Sequence, residues 1–530
     1  MANAPVLTRI FQRKTVEQIH AETQHGELKR SLGALNLILL GIGCIIGTGI
    51  FVLTGHAAAE WAGPGIMISF VLTGLLCGFV ALNYAELASA LPVSGSAYSY
   101  SYASMGEVVA WIMGVLLLLE YGLAASTVAV GWSGYLTSLL ADIHIVIPPE
   151  LTAAPGEAVK DGAGTVIAHG VLNLPAIIGI GAVTTLLIIG VSESATVNNV
   201  IVFIKLSVVI AFIAIGAFYV HPALWSPLVP AQVPAPPPGT PTDLPHQIGQ
   251  ALWDVVTGAK SHKYGLGGVI HGAAVIFFAY IGFEAVSTAG AESKNPSRDM
   301  PIGIIGALAI CTILYIATCA VLVGIVPYAS LDNPAPIATA VNQIGIGWFG
   351  VLVKLGAIAG LSSVMLVLLY GQTRIFYTMS HDGLLPAQLA VVHRRFRTPW
   401  INTVIVGVVA AGAAGFMSLS ALSDLTNVGT LAAFAIVCGA VIYLRITHPD
   451  MPRPFRTPLF PVVPIMGVLM CLFLLMSLMS VPQTRNFFVI YLALGVAFYF
   501  VFGLWNSKLG KGIIGPEAEL APMGAPHPEP

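Results

Sequence analysis

Charge is what this chain lacks most. Only 9% of its 530 residues are Asp, Glu, Lys or Arg, 56% are apolar, and mean hydropathy is +0.87. That balance excludes a string of water-soluble domains. Formal net charge is -2, and no basic cluster or aromatic–basic interleaving offers a surface for nucleic acid. The six cysteines, Cys44, Cys77, Cys311, Cys319, Cys438 and Cys471, all sit inside apolar runs with no CxxC or Cys/His spacing. They read as small packing residues rather than disulfides or metal ligands. No Walker loop, GxSxG or HExxH occurs, so ATP hydrolysis and peptidase chemistry have no residues to stand on. The expectation is a protein that is not an enzyme and holds no cofactor or metal. Residues 1–31 lack the short apolar core and small-residue cleavage site of a signal peptide, and are expected to remain as an amphipathic cytoplasmic lead-in.

What the chain has in abundance is long apolar runs. They recur from residue 33 to residue 506, each about 20 residues, enough for a hydrocarbon core of about 30 Å. We count about twelve: 33–58, 65–90, 109–138, 174–191, 199–220, 269–291, 302–326, 349–379, 401–418, 427–446, 459–480 and 486–506. The fold class expected is an all-α polytopic membrane protein. An even number of spans puts both termini on one side. Placing that side in the cytoplasm assigns 16 of the 22 Lys and Arg to cytoplasmic segments and leaves Lys160, Lys260, Lys263 and Arg485 outside, as the positive-inside rule requires. Two outer segments are long. The one near 140–173 is mixed and polar; the one over 221–268 carries nine prolines from Pro222 to Pro245, and is expected to run as an extended connection without helix. The tail over 507–530 is expected to be cytoplasmic and, beyond Lys511, disordered.

Glycine breaks the first run. GIGCIIGTGIFVLT holds Gly41, Gly43, Gly47 and Gly49 with Thr48 between the last two, and each glycine costs a helix about 1 kcal/mol relative to alanine. Two readings fit: a close helix crossing of the small-xxx-small kind through Gly43 and Gly47, or an opened helix whose amides at Gly47, Thr48 and Gly49 face an anion at a half-helix N-terminus. The sixth run repeats the feature in IFFAYIGFEAVSTAG, where Phe278, Ala279 and Ile281 would offer carbonyls to an ammonium beside Gly282. Phe278 could also close over a ligand, or simply pack in the core. Breaks five spans apart point to two five-helix halves of opposite orientation with a binding site between them. The halves are 32–220 and 269–446, with 447–506 as two further spans.

Few charges lie deep in the runs. Lys205 in VNNVIVFIKLSVVIAFI is too far from either end to snorkel, and a lysine there is expensive to keep charged. It fits a proton switch that holds the backbone of spans 1 and 8 when charged; the alternative is a lysine paired permanently to Glu120, Glu284 or a carbonyl for stability alone. Glu120 in LLLLEYGLAAS lines a cavity or bonds another helix. Glu86 is expected near the inner gate, Lys354 near the outer interface. In span 8, Ser362 and Ser363 offer polar lining and Met365 an adaptable wall.

These segments together resemble the amino acid/polyamine/organocation superfamily, and within it bacterial members of the cationic amino acid transporter family. The resemblance rests on GIGCIIGTGIFVLTG, YAELASALPVSGSAYSY, LLLLEYGLAASTVAVGWSGY, NNVIVFIKLSVVIAFI, FFAYIGFEAVSTAGAESKNPSRDMPIGI and LSSVMLVLLYGQTRIFYTMSHDGLLP, in this order over roughly residues 30–505. It implies a LeuT-like five-plus-five inverted repeat with broken helices 1 and 6 and two extra helices. Position by position it implies carboxylate-binding amides at Thr48 and Gly49, and ammonium-binding carbonyls at Ile45, Phe278 and Ile281. It further implies an aromatic gate at Phe278 and proton coupling through Lys205. Methionine at 365, where small polar residues accompany arginine and lysine transport, implies a neutral side chain.

The function expected is a proton-driven symporter that imports small or medium neutral L-amino acids by alternating access in a bacterial inner membrane. The proton gradient is its driving force, lipid its surroundings, and a monomer is sufficient. The site is Ile45, Gly47, Thr48, Gly49, Glu120, Phe278, Ala279, Ile281, Gly282 and Met365, with Lys205 as the proton-coupling residue. The alternatives are a cationic amino acid or polyamine exchanger, and a membrane receptor that binds without translocating.

Overall fold

Helix starts and stops follow the capping chemistry of the sequence. The computed structural model describes residues 10–14, 31–93, 95–160, 166–190, 195–235, 243–259 and 262–511. In chain order its principal elements are α1 (Ala34–Ile45), α2 (49–62), α3 (Ile66–Ala90), α4 (Ser96–Met105) and α5 (Glu107–Asp142). There follow a hairpin of β1 (Ala158–Lys160) and β2 (Val166–His169), then α6 (Leu174–Ile189), α7 (Ala195–Gly216), α8 (Leu244–Thr257), α9 (Gly265–Ile276) and α10 (Pro296–Ile325). The rest is α11 (Pro336–Ile344), α12 (Gly347–His381), α13 (Trp400–Phe416), α14 (Leu419–Thr447), α15 (Val462–Met479) and α16 (Pro482–Asn506). Asn173 caps α6 by accepting the Ala176 N–H at 3.2 Å, and Gly190 ends it in the left-handed conformation. Proline occupies the first turn of α6, α8, α10, α11 and α16, where its missing N–H removes no bond.

Among the described residues, nine helical runs are long and apolar enough to cross a membrane, and α1, α6 and α13 are shorter apolar helices. The first long run, Gly49–Ala90, joins the second half of the expected first span to the expected second across the Gly63–Pro64–Gly65 turn. This is an all-helical multi-pass membrane protein, with β1 and β2 as a small antiparallel addition. The large apolar side chains left exposed, such as Val71, Ile313, Val408, Leu469 and Val501, face lipid rather than water.

Small residues decide where helices approach. A Cβ at Gly41 would lie 2.5 Å from that of Ala307, and one at Gly303 2.7 Å from that of Leu37, so α1 and α10 meet nearly backbone to backbone. The crossing glycine is therefore Gly41. Gly47 has only Val364 in ordinary contact at 3.5 Å and belongs to the break.

Two expectations change. The 221–268 segment is not helix-free: α8 forms once the prolines stop, with Asp243 accepting the His246 N–H at 3.2 Å and Pro245 in the first turn. The 140–173 segment contains the hairpin, which pairs Ala158 with His169. Of the lead-in, residues 10–14 and 31 are described: Ile10 is buried and Lys14 Nζ meets Asp382 Oδ1 at 2.7 Å; its other residues and the tail beyond Lys511 lie outside the described residues.

Glu86 shows the strongest buried charge pairing. Arg445 grips both of its oxygens, at 2.9 and 2.6 Å, Arg453 Nε lies at 3.4 Å, and the Thr457 N–H donates at 2.8 Å. Glu86→Ala should lower unfolding stability by about 3 kcal/mol, because it leaves guanidinium charge without its partner. Lys354→Ala, which breaks a 2.6 Å pair to the half-exposed Asp142, should lower it by about 1 kcal/mol or less, because water takes over that carboxylate. Thermal unfolding in detergent measures both.

Candidate functional site

The two glycine-marked stretches open into breaks, and the breaks seat on each other. Helix α1 stops at Ile45; Ile46 is extended (φ -73, ψ 95), and helical geometry resumes at Thr48 before the π-helical turn Gly49–Leu53. Helix α9 runs into one 3-10 turn, Phe277–Tyr280. The chain then extends at Ile281 (ψ 132), reverses at Gly282 (φ 120) and re-enters helix at Glu284–Glu292. A Cβ at Gly49 would come within 2.2 Å of the Ala279 Cα, and one at Gly282 within 2.8 Å of the Cys44 carbonyl carbon. Each break thus supplies the glycine that admits the other's backbone. At Gly282 the positive φ requires glycine as well.

Backbone groups freed at membrane depth need partners. Lys205 Nζ donates to the Gly43 carbonyl and, at 3.3 Å, to that of Ile46. Tyr315 donates to the Ile45 carbonyl at 2.7 Å. The Ile45 oxygen expected to meet an ammonium therefore has one lone pair already engaged. Asn427 Nδ2 holds the carbonyls of Ala274 and Val275, both at 3.0 Å, and the Gly282 N–H donates to Glu284 Oε2 at 2.8 Å. Gly47 and Thr48 lead into α2 and Gly49 opens it, where N–H groups have no intrahelical acceptor. Thr48 Oγ1 is buried without a hydrogen-bond partner among the described residues.

Between the breaks lies a cavity of ≈ 20 Å³, room for about one water molecule. Six of the expected residues line it: Ile45, Gly47, Thr48, Gly49, Phe278 and Ile281. Its remaining wall is Cys44, Ala124, Val128, Val364 and Leu368. Four expected residues do not line it. Ala279 is taken up by Gly49, and Gly282 by Cys44. Met365 is buried one position round α12 from Val364, a rotation of about 100° that turns it off the cavity face. Glu120 is fully buried in the π-helical turn Leu118–Leu123 beside Glu284, and neither of its oxygens has a hydrogen-bond partner by ordinary geometry. The missed residues had a signal: Ala124 and Val128 follow Glu120 at helical spacings of four, and Val364 and Leu368 follow Gly360, whose Cβ would lie 3.3 Å from the Lys205 stem.

Packing is close on both sides of the cavity. On one side, the loop before α11 fills notches at Gly55 and Gly134, where added Cβ atoms would lie 2.6 Å from Pro336 and 2.4 Å from Pro334. Asp332 of that loop meets His56 Nδ1 at 2.9 Å. In the nearby hairpin segment, burial lifts the Glu157 carboxyl above its ordinary range, against the pull of the Ala154 N–H and of His56. On the other side, Gly290 backs onto Pro92, and Ser96 meets Ser287 at 2.6 Å. Asp382 accepts from Lys14 and Tyr98, both at 2.7 Å.

The family model for amino acid permeases matches residues 32–501. Among curated proteins, the methylthioribose transporter of Bacillus subtilis (strain 168) is 45% identical over 505 residues, covering 95% of this chain and all of the relative. The branched-chain amino acid permease BcaP of the same organism is 44% identical over 505 residues, covering 95% of this chain and 99% of the relative. The vacuolar cationic amino acid transporter 4 of Arabidopsis thaliana is 34% identical over 446 residues, covering 84% and 68%. The chain belongs to the amino acid permease family, a family of transporters of amino acids and related solutes, not of enzymes.

Proposed function

We infer that this protein is a proton-coupled symporter that moves L-amino acids with compact aliphatic side chains across a bacterial plasma membrane, both termini in the cytoplasm. Its twelve apolar segments are read as two inverted halves of five, LeuT-like, followed by two more. The observation that carries the reading is the pair of reciprocally seated breaks around one small cavity. The Gly47–Gly49 amides at the start of α2 suit a carboxylate, and the carbonyls of the opposite break suit an ammonium.

The side-chain end of the cavity is apolar: Ala124, Val128, Phe278, Val364 and Leu368 carry no charge and no donor. A guanidinium or a second ammonium would find no counter-ion there, which argues against the cationic and polyamine readings. Two relatives are named for a branched-chain amino acid and for methylthioribose; a branched alkyl tip and a methylthio tip share one chemistry, compact and apolar. Room for one water does not hold such a ligand, so Phe278, Val364 or Leu368 must withdraw for it to enter. Close packing on both sides suits a carrier that opens one side at a time, rather than a receptor.

Lys205 supplies the coupling in this reading. Its ammonium bridges the carbonyls of Gly43 and Ile46 on the two sides of the turn that opens α1. Losing the proton turns a donor of three hydrogen bonds into one of two and removes the charge, which loosens the inner half of the first break. Lys205→Ala should abolish accumulation driven by an inward proton gradient in proteoliposomes while retaining ligand-driven counterflow; uphill uptake equal to wild type would remove Lys205 from the mechanism. Gly49→Ala should lower uptake at least about tenfold, as expected when a misplaced backbone disturbs the binding geometry. Gly33→Ala, at a position with nothing within 4 Å, should leave uptake unchanged, and radiolabelled uptake reads both.

A further inference from the structure

Helix α8 has no place in the transport reading, yet it is strongly amphipathic. Its apolar residues fall on one arc: Ala251, Val255, Ile248, Leu252 and Val256 in succession around the axis, with Trp253 at the far edge. The opposite arc carries His246, Gln247, Gln250 and Asp254. The structure buries only the near edge of the apolar arc, Ala251 and Val255, against α9 and α15. Ile248, Leu252 and Val256 beside it are 44%, 43% and 55% exposed, and Trp253 64%. In water that stripe would be an uncovered apolar face on an otherwise polar connection.

Where the helix sits says what covers it. Eight residues after Thr257 the chain enters α9, a membrane-spanning run, and His271 of α9 meets Ser477 near the end of α15 at 3.1 Å. Helix α8 is packed on these same two elements. Along α15 the exposed apolar side chains Ile465, Leu469, Leu472 and Met476 form the lipid-facing surface. Packed on a span that exposes such a face, the open stripe of α8 calls for the same apolar surroundings. At 14 residues the helix is too short to cross. Tryptophan at the boundary between apolar and polar arcs is the arrangement of a helix lying in the headgroup region.

We propose that α8 is an interfacial helix that lies in the plane of the bilayer surface, with Ile248, Leu252 and Val256 in the acyl boundary, Trp253 at headgroup level and Gln250 and Asp254 toward water. The polar arc has no Lys or Arg, so its binding is apolar and indifferent to anionic lipid. Through the 258–264 connection it tethers the first half of the broken span to the membrane surface.

Spin labels on Leu252→Cys and on Gln250→Cys test this in proteoliposomes of phosphatidylcholine, with power saturation by oxygen and by a water-soluble nickel chelate. The six native cysteines are buried, and labelled wild type sets the background. Oxygen collisions should dominate at 252 and nickel collisions at 250, with the same ratio when a third of the lipid is replaced by phosphatidylglycerol. Nickel dominance at both positions overturns the proposal. So does an immobilised label at 252 shielded from both reagents, which would mean a protein partner, or burial at 252 only with anionic lipid. Labelled variants are checked for uptake; should 252 fail, the pair Val256→Cys and His246→Cys gives the same contrast.

Discussion

Everything in this molecule depends on how it accommodates unpaired backbone where there is no water to pair it. Two helices are interrupted, and each interruption is held open by the other: Gly49 admits Ala279, and Gly282 admits Cys44. The contact is mutual, so neither break can close into regular helix without displacing its neighbour. Several of the freed carbonyls are satisfied from outside the pair. Lys205 reaches from α7, Tyr315 from α10 and Asn427 from α14. Each binds main-chain oxygen of a break, so the surrounding helices register any movement there.

This explains why charge is so sparse and yet so placed. Where a charge is only structural, as at Glu86, it is saturated by two guanidinium groups and a backbone N–H. At the cavity the opposite holds: Thr48 Oγ1 stands buried without a hydrogen-bond partner among the described residues. Unsatisfied polar atoms of that kind are expensive in a bilayer.

Much of this was legible in the sequence, because glycine, proline and charge are rare events in apolar runs. Both breaks were readable from Gly47, Gly49 and Gly282, and the depth of Lys205 from its flanking apolar residues. What escaped was rotation and context. Met365 and Val364 are equally apolar and adjacent, and only the phase of α12 tells which faces the cavity. The Ile45 carbonyl looked available because Tyr315 is 270 residues away in sequence. A proline-rich composition hid α8, since nothing marks where prolines cease to forbid a helix except the Asp243 cap and Pro245 itself. The β1–β2 pairing was overshadowed by the all-helical pattern around it, although the Asp161–Gly162 turn dipeptide between Val159 and the β-branched Val166 and Ile167 carries a hairpin signal.

The central claim is that the two breaks grip the parts common to all amino acids while an apolar wall reads the side chain. It is tested most directly by competition against uptake of the best-transported aliphatic L-amino acid, using that amino acid, its carboxamide and its deaminated acid. The account predicts that the parent competes, and that each analogue is weaker by about a hundredfold, as expected when one charge-assisted partner is removed from a closed site. A carboxamide or deaminated acid that competes as well as the parent would contradict it.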